Sequence, residues 1–171
     1  MVYRVKFKRR RHRKTDYRAR LSLLKSFLPR VAIRKTNRYI IAQLIESKEA
    51  IDFVLCTANS KELLQHGWPE KNSGSLKSVP AAYLTGILLA RKIAEKKIDV
   101  KKAVVDLGIA RVTNGSRLFA CVKGMADAGL SVPYSEKIMP NDARIHGRHM
   151  QKEIPVGELK ERLLIKKERE K

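Results

Sequence analysis

Two aspartates on predicted strands are the residues of this chain whose type and position suit metal-assisted chemistry. Asp52 and Asp106 each lie in a short apolar stretch rich in β-branched residues. Two strand carboxylates can hold Mg²⁺ in a nuclease, where the metal bridges a phosphate. The first predicted strand, however, carries Arg34 and Lys35 where such a site would want another acid. The pattern therefore favours a structural role for Asp106, which would cap a loop or pair with a base such as Arg111.

Histidine and cysteine add little further chemistry. His146 and His149 have basic neighbours and no accompanying cysteine, so backbone or phosphate contact is favoured over zinc binding. Cys56 and Cys121 each lie in an apolar stretch, which predicts two buried free thiols. The chain shows no Walker or Rossmann glycine pattern and no recognisable nucleophile arrangement. We therefore predict no enzyme activity, no cofactor, no metal and no small-molecule substrate.

Positive charge is concentrated at the start of the chain. Residues 1–30 hold twelve Lys or Arg and a single acid, Asp16, which gives +11 of the chain's total charge of +21. Cations at this density repel one another and suit a polyanion, because each neutralised phosphate releases condensed counterions. Tyr3, Phe7 and Tyr17 lie among them and can stack on unpaired bases. The segment predicts nucleic-acid binding, with RNA favoured, and we expect it to become ordered on binding.

Two further clusters fit the same chemistry. Arg34, Lys35, Asn37 and Arg38 gather at a predicted hairpin turn, with Tyr39 beside them as a stacking ring. A rigid sheet would hold these side chains out towards a ligand.

The second cluster is the loop 111–117, which precedes a predicted helix. Gly115 and the helix N-terminus offer backbone N–H groups to a phosphate, and Arg111 and Arg117 add charge. Asn114 or Ser116 is also suited to cap this helix. A capped helix can still meet a phosphate through its neighbouring N–H groups.

Composition divides the chain into three parts. The predicted domains are a basic RNA-binding arm (1–30), an α/β globular core (31–135) and a C-terminal extension (136–171). The hydrophobic content of 43% supports a real core. No apolar leader and no stretch long enough to span a membrane is apparent, so no membrane partner is expected.

The order of predicted elements indicates a mixed α/β sheet flanked by helices. Strands are predicted over residues 31–36, 39–45, 51–57 and 103–107, and helices over 61–66, from 79 onwards, over 116–127 and over 157–171. Residues 69–78 read as a loop by composition. The first two strands form a hairpin, and the strand–helix–strand order that follows implies a crossover.

Three segments resemble a family of ribosomal proteins. They are residues 8–20, the hairpin 34–43, and Asp106-Leu-Gly followed by 114–130 and by Val-Pro-Tyr-Ser at 132–135. Together they are similar to the 5S-rRNA-binding family of the large subunit, the eighteenth protein in bacterial and archaeal naming and the fifth in eukaryotic naming. The resemblance covers roughly residues 3–150. Lys-Thr-Asp-Tyr at 14–17 and the short C-terminus favour an archaeal-type, cytoplasmic member.

The resemblance implies a ribonuclease-H-like topology and a structural constituent of the large subunit. Such a protein binds 5S rRNA and docks it onto the large-subunit rRNA of the central protuberance, beside a second 5S-binding protein and other large-subunit proteins. It maps RNA contacts onto Arg9, Arg10, Arg11, Arg13, Lys14, Tyr17, Arg18, Arg20, Arg34, Lys35, Asn37 and Tyr39, and onto Arg117 and Lys123. The residue pattern alone adds Arg38, Arg111 and Asn114. The tail after residue 151 matches weakly and is assigned no contact.

Two alternatives stay open at this point. An RNA-processing nuclease on the same topology would need a divalent metal and about three clustered carboxylates. A DNA-compacting protein would bind duplex DNA and 5S rRNA about equally.

Overall fold

The centre of the fold is a four-stranded sheet in a computed structural model that describes residues 5–49, 51–100, 102–148, 150 and 154–165. The strands are β1 (Arg30–Lys35), β2 (Ile40–Lys48), β3 (Ile51–Asn59) and β4 (Val104–Asp106). Their order is β3-β2-β1-β4, in which β1 and β2, and β2 and β3, are antiparallel, whereas β1 and β4 are parallel. The α-helices are α1 (Lys8–Arg11), α2 (Tyr17–Leu24), α3 (Val79–Glu95), α4 (Arg117–Asp127), α5 (Asp142–Ile145) and α6 (Val156–Ile165). The predicted mixed sheet flanked by helices is confirmed, and its strand order fits a ribonuclease-H-like topology.

Thr36 closes the predicted hairpin between β1 and β2. Its hydroxyl accepts a hydrogen bond from the Tyr39 N–H and donates one to the Tyr39 carbonyl, both at 2.9 Å. The adjacent register joins Lys35 to Ile40. The turn leaves Asn37 exposed at its tip, as predicted.

The two faces of the sheet differ in chemistry. Val31, Ile33 and Leu44 are fully buried against the helices on what we call the helix face. Side chains alternate along a strand, so Arg30 and Gln43 point to the opposite side, which we call the open face. The open face is therefore the side of the sheet that can carry polar and charged side chains.

Two glycines let α3 and α4 cross in close backbone contact. A Cβ atom added at Gly86 would lie 2.1 Å from the carbonyl oxygen of Cys121. A Cβ atom at Gly124 would lie 2.0 Å from the carbonyl oxygen of Tyr83. The crossing therefore needs glycine at both positions. Within the described residues no helix, α3 included, has the length and apolar character to cross a membrane.

Two lysines at the C-terminal end of α3 bind the carbonyl oxygens of the edge strand β3. Lys92 Nζ donates to the Thr57 carbonyl at 3.0 Å and also contacts the Glu62 carboxylate. Lys96 Nζ, one helical turn later, donates to the Leu55 carbonyl at 3.0 Å. The spacing of the two lysines along the helix thus matches the two-residue spacing of the strand.

The segment between β3 and α3 differs from its prediction. The helix predicted over 61–66 is present as a 3₁₀ helix, Ser60–His66. The predicted loop 69–78 contains a second 3₁₀ helix, Glu70–Ser75, beside the buried Trp68. The indole N–H of Trp68 donates to the Asn72 carbonyl at 3.1 Å. A buried indole needs such an acceptor, and turn-forming composition gives no sign of it.

The C-terminal helix belongs to the core. α6 begins one residue before the predicted start at 157, and residues 166–171 lie outside the described part of the chain. Leu159 and Leu163 are 2% and 1% exposed and belong to the main apolar cluster. α6 therefore contributes an apolar face that its charged composition conceals.

Candidate nucleic-acid interface

The basic arm contains the two short helices α1 and α2, and an N-cap residue precedes α2. The ring of Phe7, just before α1, lies 5.2 Å from the ring of Tyr17, the first residue of α2. The Asp16 carboxylate accepts hydrogen bonds from the N–H groups of Arg18 and Ala19 at 3.0 and 3.2 Å. The single acid of the arm therefore serves as the N-cap of α2.

A basic groove of about 1210 Å³ lies between the arm, the open face of the sheet and the loop that follows β4. Its charged lining consists of the cations Arg9, Lys14, Arg20, Arg30, Arg34, Lys35, Arg111, Arg117 and Arg144 and the acids Asp16, Asp52 and Asp106. Cations thus outnumber acids about threefold along this wall. A groove of this charge attracts and concentrates polyanions.

Asp52 accepts hydrogen bonds from two arginines on the floor of the groove. Its Oδ2 lies 2.5 Å from Arg20 Nη2 and 2.6 Å from Arg30 Nη2, while Ser47 donates to Oδ1 at 2.7 Å. Partial burial opposes ionisation of this carboxyl, but the Ser47 hydrogen bond and the charges of Arg30 and Arg20 outweigh it and lower the pKa of Asp52 below its ordinary value. Asp52 is therefore a charged link between α2 and β1.

Asp106 is the second acid of this network, and it also contacts two arginines. Its Oδ2 lies 3.0 Å from Arg34 Nη2 and 3.5 Å from Arg30 Nη1, and its Oδ1 accepts the Gly108 N–H at 2.7 Å. The sequence suggested a loop cap or a base such as Arg111, and the structure supplies the cap but uses Arg34 and Arg30 as the bases. Among the described residues, no group of three or more His, Cys, Asp or Glu is placed to hold a metal ion.

The remaining cations of the groove are available to a ligand. These are Arg9, Lys14, Lys35, Arg111, Arg117 and Arg144, and none of them forms an ion pair with an acid in the described part of the chain. Their charges therefore face solvent without a protein counterion. Phosphate groups are the partners that this arrangement suits.

The N-terminus of α4 opens into the same groove. Gly115 has a φ of +65°, which favours glycine, and Ser116 occupies the N-cap position. The Ser116 hydroxyl makes no capping bond, and its buried oxygen has no partner among the described residues. The predicted Ser116 cap is therefore correct in position but unformed as a hydrogen bond, and the exposed Asn114 makes none either. The first N–H groups of α4 stay open to a phosphate.

The predicted site residues separate into three groups. Those that line the groove are Arg9, Lys14, Arg20, Arg34, Lys35, Arg111 and Arg117. Those outside its lining are Arg10, Arg11, Arg13, Tyr17 and Arg18 on the arm, Asn37, Arg38 and Tyr39 at the hairpin turn, and Asn114 beside α4. Lys123 lies on α4 with its ammonium 2.7 Å from the Asp142 carboxylate, so its charge is already engaged.

Two residues of the groove were not predicted from the sequence. Arg30 reads as one more cation of the arm, yet its side chain is 6% exposed and lies between two carboxylates. Arg144 lies in the basic segment after residue 140, where nothing in the local sequence points to the groove. Its guanidinium approaches Gly115, so the contact depends on tertiary structure alone.

The cysteine and histidine expectations have simple outcomes. Cys56 and Cys121 are buried free thiols, as predicted, and burial raises the pKa of Cys121 to about 12. His146 is exposed at the end of α5. His149 lies outside the described residues, and the backbone or phosphate contact expected of the two histidines stays a prediction.

Comparison with known families gives one match over most of the chain. Residues 1–102 and 94–135 match the family described as ribosomal large subunit proteins 60S L5 and 50S L18.

Curated archaeal relatives extend this similarity. The protein from Korarchaeum cryptofilum is 51% identical over 148 residues, which is 86% of this chain and 73% of that protein. The one from Methanoculleus marisnigri is 46% identical over 153 residues, which is 90% of this chain and 84% of that protein. Caldivirga maquilingensis supplies a third, 46% identical over 86% of this chain and 69% of its own length. Each is named large ribosomal subunit protein uL18.

Proposed function

Because this chain belongs to the family of ribosomal large subunit proteins 60S L5 and 50S L18, we propose that it binds 5S rRNA and helps attach it to large-subunit rRNA in the central protuberance. As a family member it is a structural protein of the large ribosomal subunit, in the cytoplasm. Its proposed neighbours are the large-subunit rRNA, a second 5S-binding ribosomal protein and other large-subunit proteins. No membrane or small-molecule partner is proposed.

The observation that carries this proposal is the basic groove. It combines six cations without acid partners in the described chain, the open N–H groups of α4 and the rigid floor of the sheet. Phosphate contacts of this kind supply affinity and fix orientation. Arg38 at the hairpin turn lies outside the lining of the groove and is proposed as a separate RNA contact.

In this proposal each of the three predicted parts of the chain has a different role. The arm, residues 1–30, supplies most of the electrostatic affinity. The core, residues 31–135, supplies the rigid surface that sets the position of the RNA. The extension, residues 136–171, supports that core through α6.

The nuclease alternative gains no support from the groove. Asp52 and Asp106, its candidate metal ligands, each accept hydrogen bonds from arginines. A carboxylate that already neutralises a guanidinium is a poor ligand for Mg²⁺. The first strand presents Arg30 and Arg34 to them instead of a further acid.

Binding measurements with a matched pair of lysine variants test the proposal. Lys35 lines the groove, whereas Lys61 is exposed outside its lining, and neither pairs with a described acid. Lys35→Gln should weaken 5S rRNA binding by roughly 3- to 10-fold at low salt and make the salt dependence shallower by about one unit of slope. Lys61→Gln should leave both unchanged. Equal affinity of the wild type for 5S rRNA, a scrambled RNA of the same length and duplex DNA would reject specific 5S recognition.

A footprint tests the attachment role separately. Chemical probing of 5S rRNA with this protein, with and without large-subunit rRNA, should show protection on 5S rRNA in both cases. Additional protection should appear on the large-subunit rRNA in the mixture. Absence of that second protection would remove the attachment role and leave 5S binding intact.

A further inference from the structure

The helix α2 is attached to the sheet chiefly by one polar contact. No residue of α2 is buried, and Leu23 and Leu24 are only half-buried, so the apolar packing that docks this helix is limited. Among the described residues, the pair Arg20–Asp52 is the side-chain hydrogen bond that joins α2 to a strand. The position of this wall of the groove therefore depends on a single carboxylate.

That carboxylate is itself firmly placed. Ser47 on β2 donates to one oxygen of Asp52, and the buried Arg30 on β1 donates to the other. Arg30 is in turn 3.5 Å from Asp106 on β4. Asp52 thus presents a fixed acceptor, supported by three strands, to the side chain of Arg20.

We propose that Asp52 is a positioning residue for RNA binding: it binds Arg20 and holds α2 beside the open face. For α2 this replaces the ordering on binding expected of the arm, because this wall of the groove is in place before RNA arrives. The inference rests on the proposed RNA-binding function. It assigns to an acid a favourable role in binding a polyanion. A preformed wall lowers the ordering entropy that binding would otherwise have to overcome.

Hydrogen exchange of the free protein tests the contact without any RNA. Arg20→Gln removes the link to Asp52. Arg18→Gln is its control, since it removes one cation from the same helix at an exposed position whose side chain bonds no described residue. Arginine and glutamine have similar helix propensities. The amides of α2 should exchange about two- to fivefold faster in Arg20→Gln than in Arg18→Gln. Equal exchange in the two variants overturns the proposal.

The direction in which Asp52→Asn changes the affinity for RNA gives the second test. Asp52→Asn and Glu70→Gln each remove one negative charge, and Glu70 is exposed outside the lining of the groove. If Asp52 acted only as a repulsive charge, Asp52→Asn would bind 5S rRNA more tightly than Glu70→Gln. The positioning role requires the opposite, about two- to fivefold weaker binding, and tighter binding overturns it.

Two controls keep these results separate from the proposed function. If circular dichroism shows that Asp52→Asn does not fold, the RNA affinities of Arg20→Gln and Arg18→Gln replace it, and an equal loss in both overturns the positioning role. If the wild type fails to bind 5S rRNA, the proposed function fails. The exchange difference in the free protein still decides whether Asp52 holds α2.

Discussion

At the scale of single residues, Arg30 is the unusual group of this protein. Its guanidinium is almost buried and lies between Asp52 and Asp106, while its Nε has no partner among the described residues. A buried charge is tolerated when neighbouring carboxylates compensate it. The two acids that resemble a metal site in the sequence are therefore the counterions of a buried arginine.

Asp106→Asn should destabilise the fold. The amide keeps an acceptor for the Gly108 N–H but leaves the charge of Arg30 less compensated, so the free energy of unfolding should fall by about 2 kcal/mol or more. Urea denaturation measures this difference. Asp99→Asn, at an exposed position, should stay within about 0.5 kcal/mol of the wild type. Equal stability of the two variants would contradict the role of Asp106 as a counterion.

Sequence reasoning at this scale finds charge density but not charge pairing. The arm and the hairpin cluster are predictable, because their cations lie close together along the chain. The partner of Arg34 is Asp106, 72 positions away, and only the parallel pairing of β1 with β4 brings them together. For the same reason Arg30 and Arg144 could not be assigned to the groove.

At the scale of elements, those that form from local sequence were predicted correctly, whereas those that depend on tertiary contacts were predicted only in part or missed. The hairpin was predictable because Thr36 and its neighbours form a turn between two β-branched stretches. α6 was predicted only as a charged helix, since its apolar face becomes meaningful once α3 and the 3₁₀ helix Ser60–His66 lie against it. The 3₁₀ helix beside Trp68 was missed, because its composition is that of a loop.

Gly86→Ala should disrupt the crossing of α3 and α4. The new methyl group would overlap the Cys121 carbonyl, so the helices must separate, with a loss of about 2 kcal/mol or more in unfolding free energy. Gly74→Ala is the matched control, because a Cβ there would meet no atom within 4 Å. Thermal melting compares the two. A Gly86→Ala protein as stable as Gly74→Ala would show that the helices can move apart freely.

Leu163→Ala tests whether α6 is part of the core. Removal of a side chain that is 1% exposed should lower the free energy of unfolding by about 2–5 kcal/mol. Leu21→Ala makes the same change at a residue that is 55% exposed and should have a small effect. Chemical denaturation of both variants gives the comparison. Similar values would mean that α6 adds little to stability.

At the scale of the whole molecule, the apolar core and much of the positive charge lie in different parts of the chain. The apolar cluster is built from the helix face of the sheet, α3, α4 and α6. No residue of α1 or α2 is buried, and much of the net positive charge lies in the arm that contains them. Folding and RNA affinity should therefore respond to different truncations.

Deletion of residues 1–20 should leave the core folded and weaken RNA binding sharply. The deletion removes ten Lys or Arg, so the dependence of log affinity on log salt should become much shallower. Titrations of 5S rRNA at several salt concentrations, with melting curves as the folding control, measure both effects. Unchanged affinity at every salt concentration would show that the arm is not the main electrostatic site.

The lysines that bind the edge of β3 have a consequence for the protein before it reaches its partners. An uncovered edge strand can template the addition of a strand from another molecule, which leads to aggregation. Lys92 and Lys96 donate to the carbonyl oxygens of Thr57 and Leu55, and the charge of Lys92 is itself paired with Glu62. Two acceptors that an incoming strand would need are therefore already engaged, which disfavours edge-to-edge pairing between newly made copies of the chain.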